Sequence, residues 1–161
     1  MSMIIDGTNG LTFNNATTQA SAGSVLQVVN ATYSTQVSNS TSTYADTGLT
    51  ATITPKFSTS KILVIVDQTG CANAYTNGSL LALQLTRNGT QIALFSAYGG
   101  FNTGGSLTME FGTCSVNYLD SPATTSATTY KTQLKSTNNT GAMSVQYQNS
   151  TSTITLMEIA A

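Results

Sequence analysis

The chain has 161 residues and 11 charged side chains, five Lys or Arg against six Asp or Glu, with no His and a net charge of -1. So few cations, with Arg87 as the single arginine, exclude a nucleic-acid surface, which must displace counterions with clustered Lys and Arg. The absence of His removes Ser-His-Asp and Cys-His catalysis and most zinc sites.

Thr contributes 30 residues, Ser 19, Asn 13 and Gln 9, so 71 residues are polar and uncharged. The chain nevertheless reads as folded. Hydrophobic residues make up 40% and come in blocks, whereas disordered chains are charge-rich and apolar-poor. Thr is β-branched and favours strands, so the predicted class is all-β. The length fits one domain with a short appendage.

Residues 1–23 read as an appendage. Met1 to Gly7 has no basic or long apolar stretch, so no secretory signal is expected. Asp6-Gly7 and Asn9-Gly10 are turn signals, and Leu11-Thr12-Phe13 is a short apolar triplet. Ile4, Ile5, Leu11 and Phe13 cannot form a core alone and need burial against the body, sister chains or a larger partner. Ala20 to Ser24 reads as a linker into a domain spanning 24–161.

Strands follow from Val25. Val25–Tyr33 is apolar and extended, and Leu49 to Thr54 alternates before Pro55 stops it. Ile62-Leu63-Val64-Ile65-Val66 is an unbroken apolar run, predicting a strand buried on both faces; it is far too short to span a membrane. Leu80–Arg87, Asn88-Gly89 and Thr90–Tyr98 form the clearest hairpin, because Asn-Gly supplies the positive φ angles of a type I′ turn. Ser106–Leu119 carries Leu107, Met109 and Phe111 at period two. Thr128–Lys135 sets Tyr130, Thr132 and Leu134 against Lys131, Gln133 and Lys135. Ala142–Gln148 points Met143, Val145 and Tyr147 inward, and Ser152–Ala160 closes the chain. The spacing predicts an antiparallel β-sandwich of jelly-roll type. An immunoglobulin-like sandwich is the alternative, disfavoured by the absence of Trp.

The chemistry available is sparse. Cys71 and Cys114 make no disulfide framework and read as buried thiols. Seven Asn-X-Ser/Thr sequons, from Asn15 to Asn149, follow from composition. Asp6, Asp46 and Asp120 precede or open turns and read as caps of local N–H groups. Asp67 and Glu110 could be assembled into a two-carboxylate glycosidase, although no spacing supports the pair. Glu158 reads as part of a solvated face. No Asp-x-Asp-x-Asp cluster exists for calcium, so no metal or cofactor is expected. Gly99 to Gly105 lacks the Lys-Ser/Thr of a phosphate loop and reads as a sandwich loop, where Phe101 with Tyr98 could contact a sugar ring or another protein. Thr50 to Thr54 and Thr151 to Thr155 lack the fixed repeat of ice-binding solenoids and read as solvent faces.

Asp6-Gly7-Thr8-Asn9-Gly10-Leu11-Thr12-Phe13, followed by Thr17-Thr18-Gln19, resembles the front segment of tailed-bacteriophage fibre and virion-surface proteins. The body is similar too, through Val25 to Val29, Leu49 to Pro55 with Ser60 to Val64, Tyr118 to Lys131, and Ser152 to Glu158. Asn14-Asn15-Ala16 departs from the family's usual Pro-Asp-Gly turn. The resemblance implies a trimeric jelly roll with a short extended arm on a virion assembled in bacterial cytoplasm. Ile4, Ile5, Leu11 and Phe13 would be the docking and trimer contacts. A shaftless chain suits a head decoration or cement protein on the major capsid protein, without enzymatic activity, nucleic acid or membrane. The alternative is a short tail-fibre or adhesion module, attached to a tail component and binding host glycans through Tyr98 and Phe101.

Overall fold

The computed structural model describes residues 4–6, 10–12, 18–19, 25–74, 80–99, 108–137, 139 and 141–160. Strands dominate them, as a Thr-rich chain favours. In order they are β1 (Ile4–Asp6), β2 (Gly10–Thr12), β3 (Thr18–Gln19), β4 (Val25–Tyr33), β5 (Val37–Asn39), β6 (Ala45–Ile53) and β7 (Lys61–Ala74). Then come β8 (Leu81–Arg87), β9 (Thr90–Gly99), β10 (Thr108–Asp120), β11 (Thr128–Ser136), β12 (Met143–Val145) and β13 (Ser152–Ile159). The described residues hold no α-helix, and Tyr147–Asn149 is a single 3-10 turn.

Two antiparallel sheets form the body. In the first, β10 lies along one flank of β7, and β13 and β12 lie end to end along the other. β4 and β5 continue the sheet beyond β13 and β12. The break between β12 and β13 is local: Gln146, Gln148 and Asn149 have φ of 52°, 55° and 60°, so the chain leaves the ladder and rejoins it. The second sheet runs β6-β11-β8-β9. Counting β4/β5 and β12/β13 as one strand each, the first sheet places the first, eighth, third and sixth strands side by side. The second sheet places the second, seventh, fourth and fifth. This interleaving is a jelly roll, as expected. The β8–β9 hairpin turns at Asn88 and Gly89, with φ of 49° and 84°, as a type I′ turn requires.

The interior contains two apolar clusters. One gathers Leu49, Ile53, Ile62, Val64, Val66, Leu85, Tyr130, Ile154 and Leu156. The other gathers Cys71, Leu81, Leu83, Leu134, Met143 and Val145. Each fully buried Leu, Ile or Val contributes about 1.5–3 kcal/mol. A polar belt lies between them. Gln68 Nε2 donates to Ser152 Oγ at 3.0 Å, Thr132 Oγ1 donates to Gln68 Oε1 at 2.8 Å, and Gln146 Nε2 donates to Ser152 Oγ at 3.1 Å. All four of these side chains are fully buried, so the hydrogen bonds replace lost hydration.

Three sequence expectations change. Ile62, Val64 and Val66 are buried, but Leu63 and Ile65 are partly exposed, so the run is not buried on both faces. A two-layer sandwich gives each sheet one inner face, and side chains alternate across it. Met143 and Val145 point inward, but Tyr147 lies in the 3-10 turn and is half-buried. The N-terminal arm is not simply extended: β1, β2 and β3 pair as a small antiparallel sheet of their own.

Candidate functional site

The predicted contact residues fall in two places. Ile4 and Ile5 lie in β1 and Leu11 in β2, with Ile5 opposite Leu11 and Ile4 opposite Thr12 in the backbone register. Tyr98 lies near the end of β9. Phe13 and Phe101 lie outside the described residues, as does Leu107. The register thus sets Ile5 opposite Leu11 within the small sheet.

Asp67 and Glu110 form no catalytic pair. Asp67 sits opposite Ser115 and accepts its hydroxyl at 2.5 Å, while Glu110 sits opposite Ala72. Five residues of register separate these positions, roughly 17 Å at the rise of a strand. Glycosidase carboxyls stand about 5–9.5 Å apart, so the two-carboxylate arrangement fails on geometry. Among the described residues, no three His, Cys, Asp or Glu side chains gather as a metal-binding group.

The other described carboxylates work across strands rather than as local caps. Asp46 accepts Lys131 Nζ at 2.7 Å and Gln133 Nε2 at 2.6 Å, two side chains of β11. Burial raises its pKa, but these two partners outweigh it and leave the carboxyl below its usual range. Asp120, 5% exposed, accepts Arg87 Nη1 at 2.8 and 2.9 Å and the Tyr130 hydroxyl at 2.6 Å. Burial, and then the Asp120 carboxylate, push the Tyr130 hydroxyl far above its usual pKa. Glu158 is fully buried, not solvated. Gln27 Nε2 donates to it at 2.6 Å and the Lys56 backbone N–H at 2.7 Å. Burial raises its pKa, yet the hydrogen bonds prevail and hold the carboxyl below its usual range. These partners lie 102 to 131 residues away along the chain, beyond the reach of any local pattern.

Cys71 and Cys114 are both free thiols; Cys71 is buried and Cys114 is partly exposed. On the paired strands β7 and β10 Cys71 stands opposite Gly112 and Cys114 opposite Gln68, across an irregularity in the register. The hydrogen bond to Cys114 and burial push the Cys71 thiol up, and the same bond pulls Cys114 down.

An open cleft of about 580 Å³ lies over the second sheet, lined by Asp46, Thr50, Asn88, Thr129 and Lys131 among others. Its polar groups largely satisfy one another: Lys131 pairs with Asp46, and Asn88 Oδ1 accepts the Thr129 N–H at 2.8 Å. The lining contains no aromatic ring on which a sugar could stack.

No family model matches the chain, and no curated protein matches it. Among solved structures it is similar to the VP2 subviral particle of infectious bursal disease virus, with a TM-score of 0.44 and 15% identity over 84% of this chain. It is also similar to the T=1 particles derived from infectious bursal virus, with a TM-score of 0.40 and 13% identity over 84% of this chain. The chain spans 37% and 36% of the length of those two structures.

Proposed function

We propose that the protein is a non-enzymatic structural component of a phage virion, a homotrimeric decoration or cement protein that docks on the head and stabilises it. The observation that carries this reading is the Asp6–Phe13 stretch, which resembles the front segment of phage virion-surface proteins and contains the last residue of β1 and all of β2 in a small sheet separate from the body's two sheets. A jelly roll preceded by its own short sheet suits a division of labour. The sandwich is the rigid module, and Ile4, Ile5, Leu11 and Phe13 serve docking. Each docked trimer would bury area across a shell interface and shift the shell toward its assembled state by mass action. The hydrogen-bonded, cross-strand use of Asp46, Asp120 and Glu158 fits a structural role.

The alternative is a tail-fibre or adhesion module that holds a host glycan at the outer loops near Tyr98 and Phe101, since the cleft beside Asp46 and Lys131 offers no stacking ring. Copy number separates the two. Quantitative mass spectrometry of purified virions should find the protein in fixed proportion to the major shell protein. A few copies per particle would support the tail module, and absence from particles would refute both.

A further inference from the structure

The two outer faces of the sandwich differ in chemistry. On the second sheet the outward side chains include Thr50, Thr52, Thr129, Lys131 and Gln133, a mostly polar surface in which Leu94 of β9 stands as an isolated exposed apolar side chain. On the first sheet four strands each turn an apolar side chain outward at one level. Leu119 of β10 stands beside Leu63 of β7, Leu63 beside Met157 of β13, and Met157 beside Val28 of β4. The paired Ile159 and Val25 extend the row. Val28 is 54% exposed, Leu119 51% and Val25 49%. An outward sheet face of a hydroxyl-rich chain is expected to be polar, and a contiguous apolar patch marks an interaction surface.

We infer that a second copy of this chain covers this face, and that the row from Leu119 to Val28 is the sister-chain contact. The inference rests on the homotrimer in the proposed function. Area and charge support it. Four strands spaced about 4.8 Å apart, over the six-residue rise from Lys61 to Asp67, present roughly 400 Å² of face, in which the apolar row is flanked by Asn117, Thr155 and Asn30 around Ile65. That is about half of the ~800 Å² that one partner brings to a standard interface. The charged outward residues on β7, Lys61 and Asp67, are of opposite sign and lie at the two ends of the stretch. The centre of the row carries no charge, so a neighbouring copy can approach without burying one. With a net charge of -1, copies of the chain repel one another little.

Light scattering coupled to size exclusion, on the purified full chain at tens of micromolar, tests this. The expected wild-type mass is three times 16.7 kDa. Leu119→Lys and Val28→Lys place an ammonium in the contact and should weaken association at least ~100-fold, giving monomers. Both side chains point away from the core, so circular dichroism and the melting profile should stay β-rich and cooperative. Leu94→Lys is the control: Leu94 is 50% exposed, on β9 of the other sheet, and should leave the mass unchanged. A two-chain wild-type mass abolished by Leu119→Lys would support this face while refuting the trimer. A monomeric wild type would overturn the inference, leaving copy number on virions to judge the decoration reading separately. Unchanged association in both lysine variants, or equal loss in Leu94→Lys, would also overturn it.

Discussion

Asp120 ends β10 in the first sheet, while its partners Arg87 and Tyr130 belong to β8 and β11 of the second. The three side chains therefore fasten the sheets together at one end of the sandwich. Tyr130→Phe keeps the ring in the core and removes a 2.6 Å hydrogen bond to a buried carboxylate. Bonds to charged groups are worth about 1.5–3 kcal/mol, so the variant should lose about 2 kcal/mol. For a chain of this size that lowers Tm by roughly 4–8 °C. Asp120→Ala leaves both donors without their acceptor and should cost about 3–5 kcal/mol. The lower end applies, because the Arg87 side chain is 32% exposed and water can take over part of its solvation. Urea unfolding of the two variants and their combination should give a coupling of about 1–2 kcal/mol. The pH dependence provides a second check. The folded pKa of Tyr130 is raised, so its contribution is complete below the unfolded value of about 10 and is lost as pH rises beyond it. The stability gap between wild type and Tyr130→Phe should thus narrow above pH 10. A coupling below about 0.5 kcal/mol, or a gap that widens with alkali, would refute the clamp.

Glu158 has a depressed folded pKa, so its contribution is present above the unfolded value of about 4.3 and is lost as pH falls through the lower folded value. Glu158→Gln should flatten the acid limb of stability, read as urea midpoints between about pH 2 and pH 7. Gln68→Ala opens a cavity and strips partners from Thr132 and Ser152, so it should cost about 2–4 kcal/mol in urea unfolding. Iodoacetamide at neutral pH should alkylate Cys114, whose thiol is activated and partly exposed, well before Cys71; peptide mapping that found Cys71 modified first would contradict the arrangement.

Strands were legible where the pattern was local. Val25–Tyr33 matches β4 residue for residue, and Asn88-Gly89 placed the β8–β9 turn. The alternation of Tyr130, Thr132 and Leu134 against Lys131, Gln133 and Lys135 separates inner from outer face as read. The roles of single residues were less legible. Asp120 reads as a turn opener because Ser121-Pro122 follows it, but its partners come from β8 and β11. Glu158 reads as solvated because strand ends usually are, but Gln27 and Lys56 close over it. In both cases the deciding neighbour is brought by the fold, and a local window carries no trace of it.

The outer apolar row shows the same limit in its most consequential form. An unbroken run such as Ile62 to Val66 has no period, and it suits a strand covered on both sides. The body covers one side, and the run is apolar on both. The sequence alone cannot distinguish an outer face covered by this chain from one left for a partner. That distinction emerges only when Leu119, Met157 and Val28, drawn from three other strands, align with Leu63 at one level. The Asp120 clamp bears directly on that alignment. Asp120 is anchored inward to the second sheet, and side chains alternate along a strand, so Leu119 beside it is held outward. Loosening the clamp should therefore weaken self-association as well as folding. Tyr130→Phe, which leaves the outer face untouched, should weaken self-association less than Leu119→Lys does, and an equal effect would mean that the two faces of the sheet are not separable as argued.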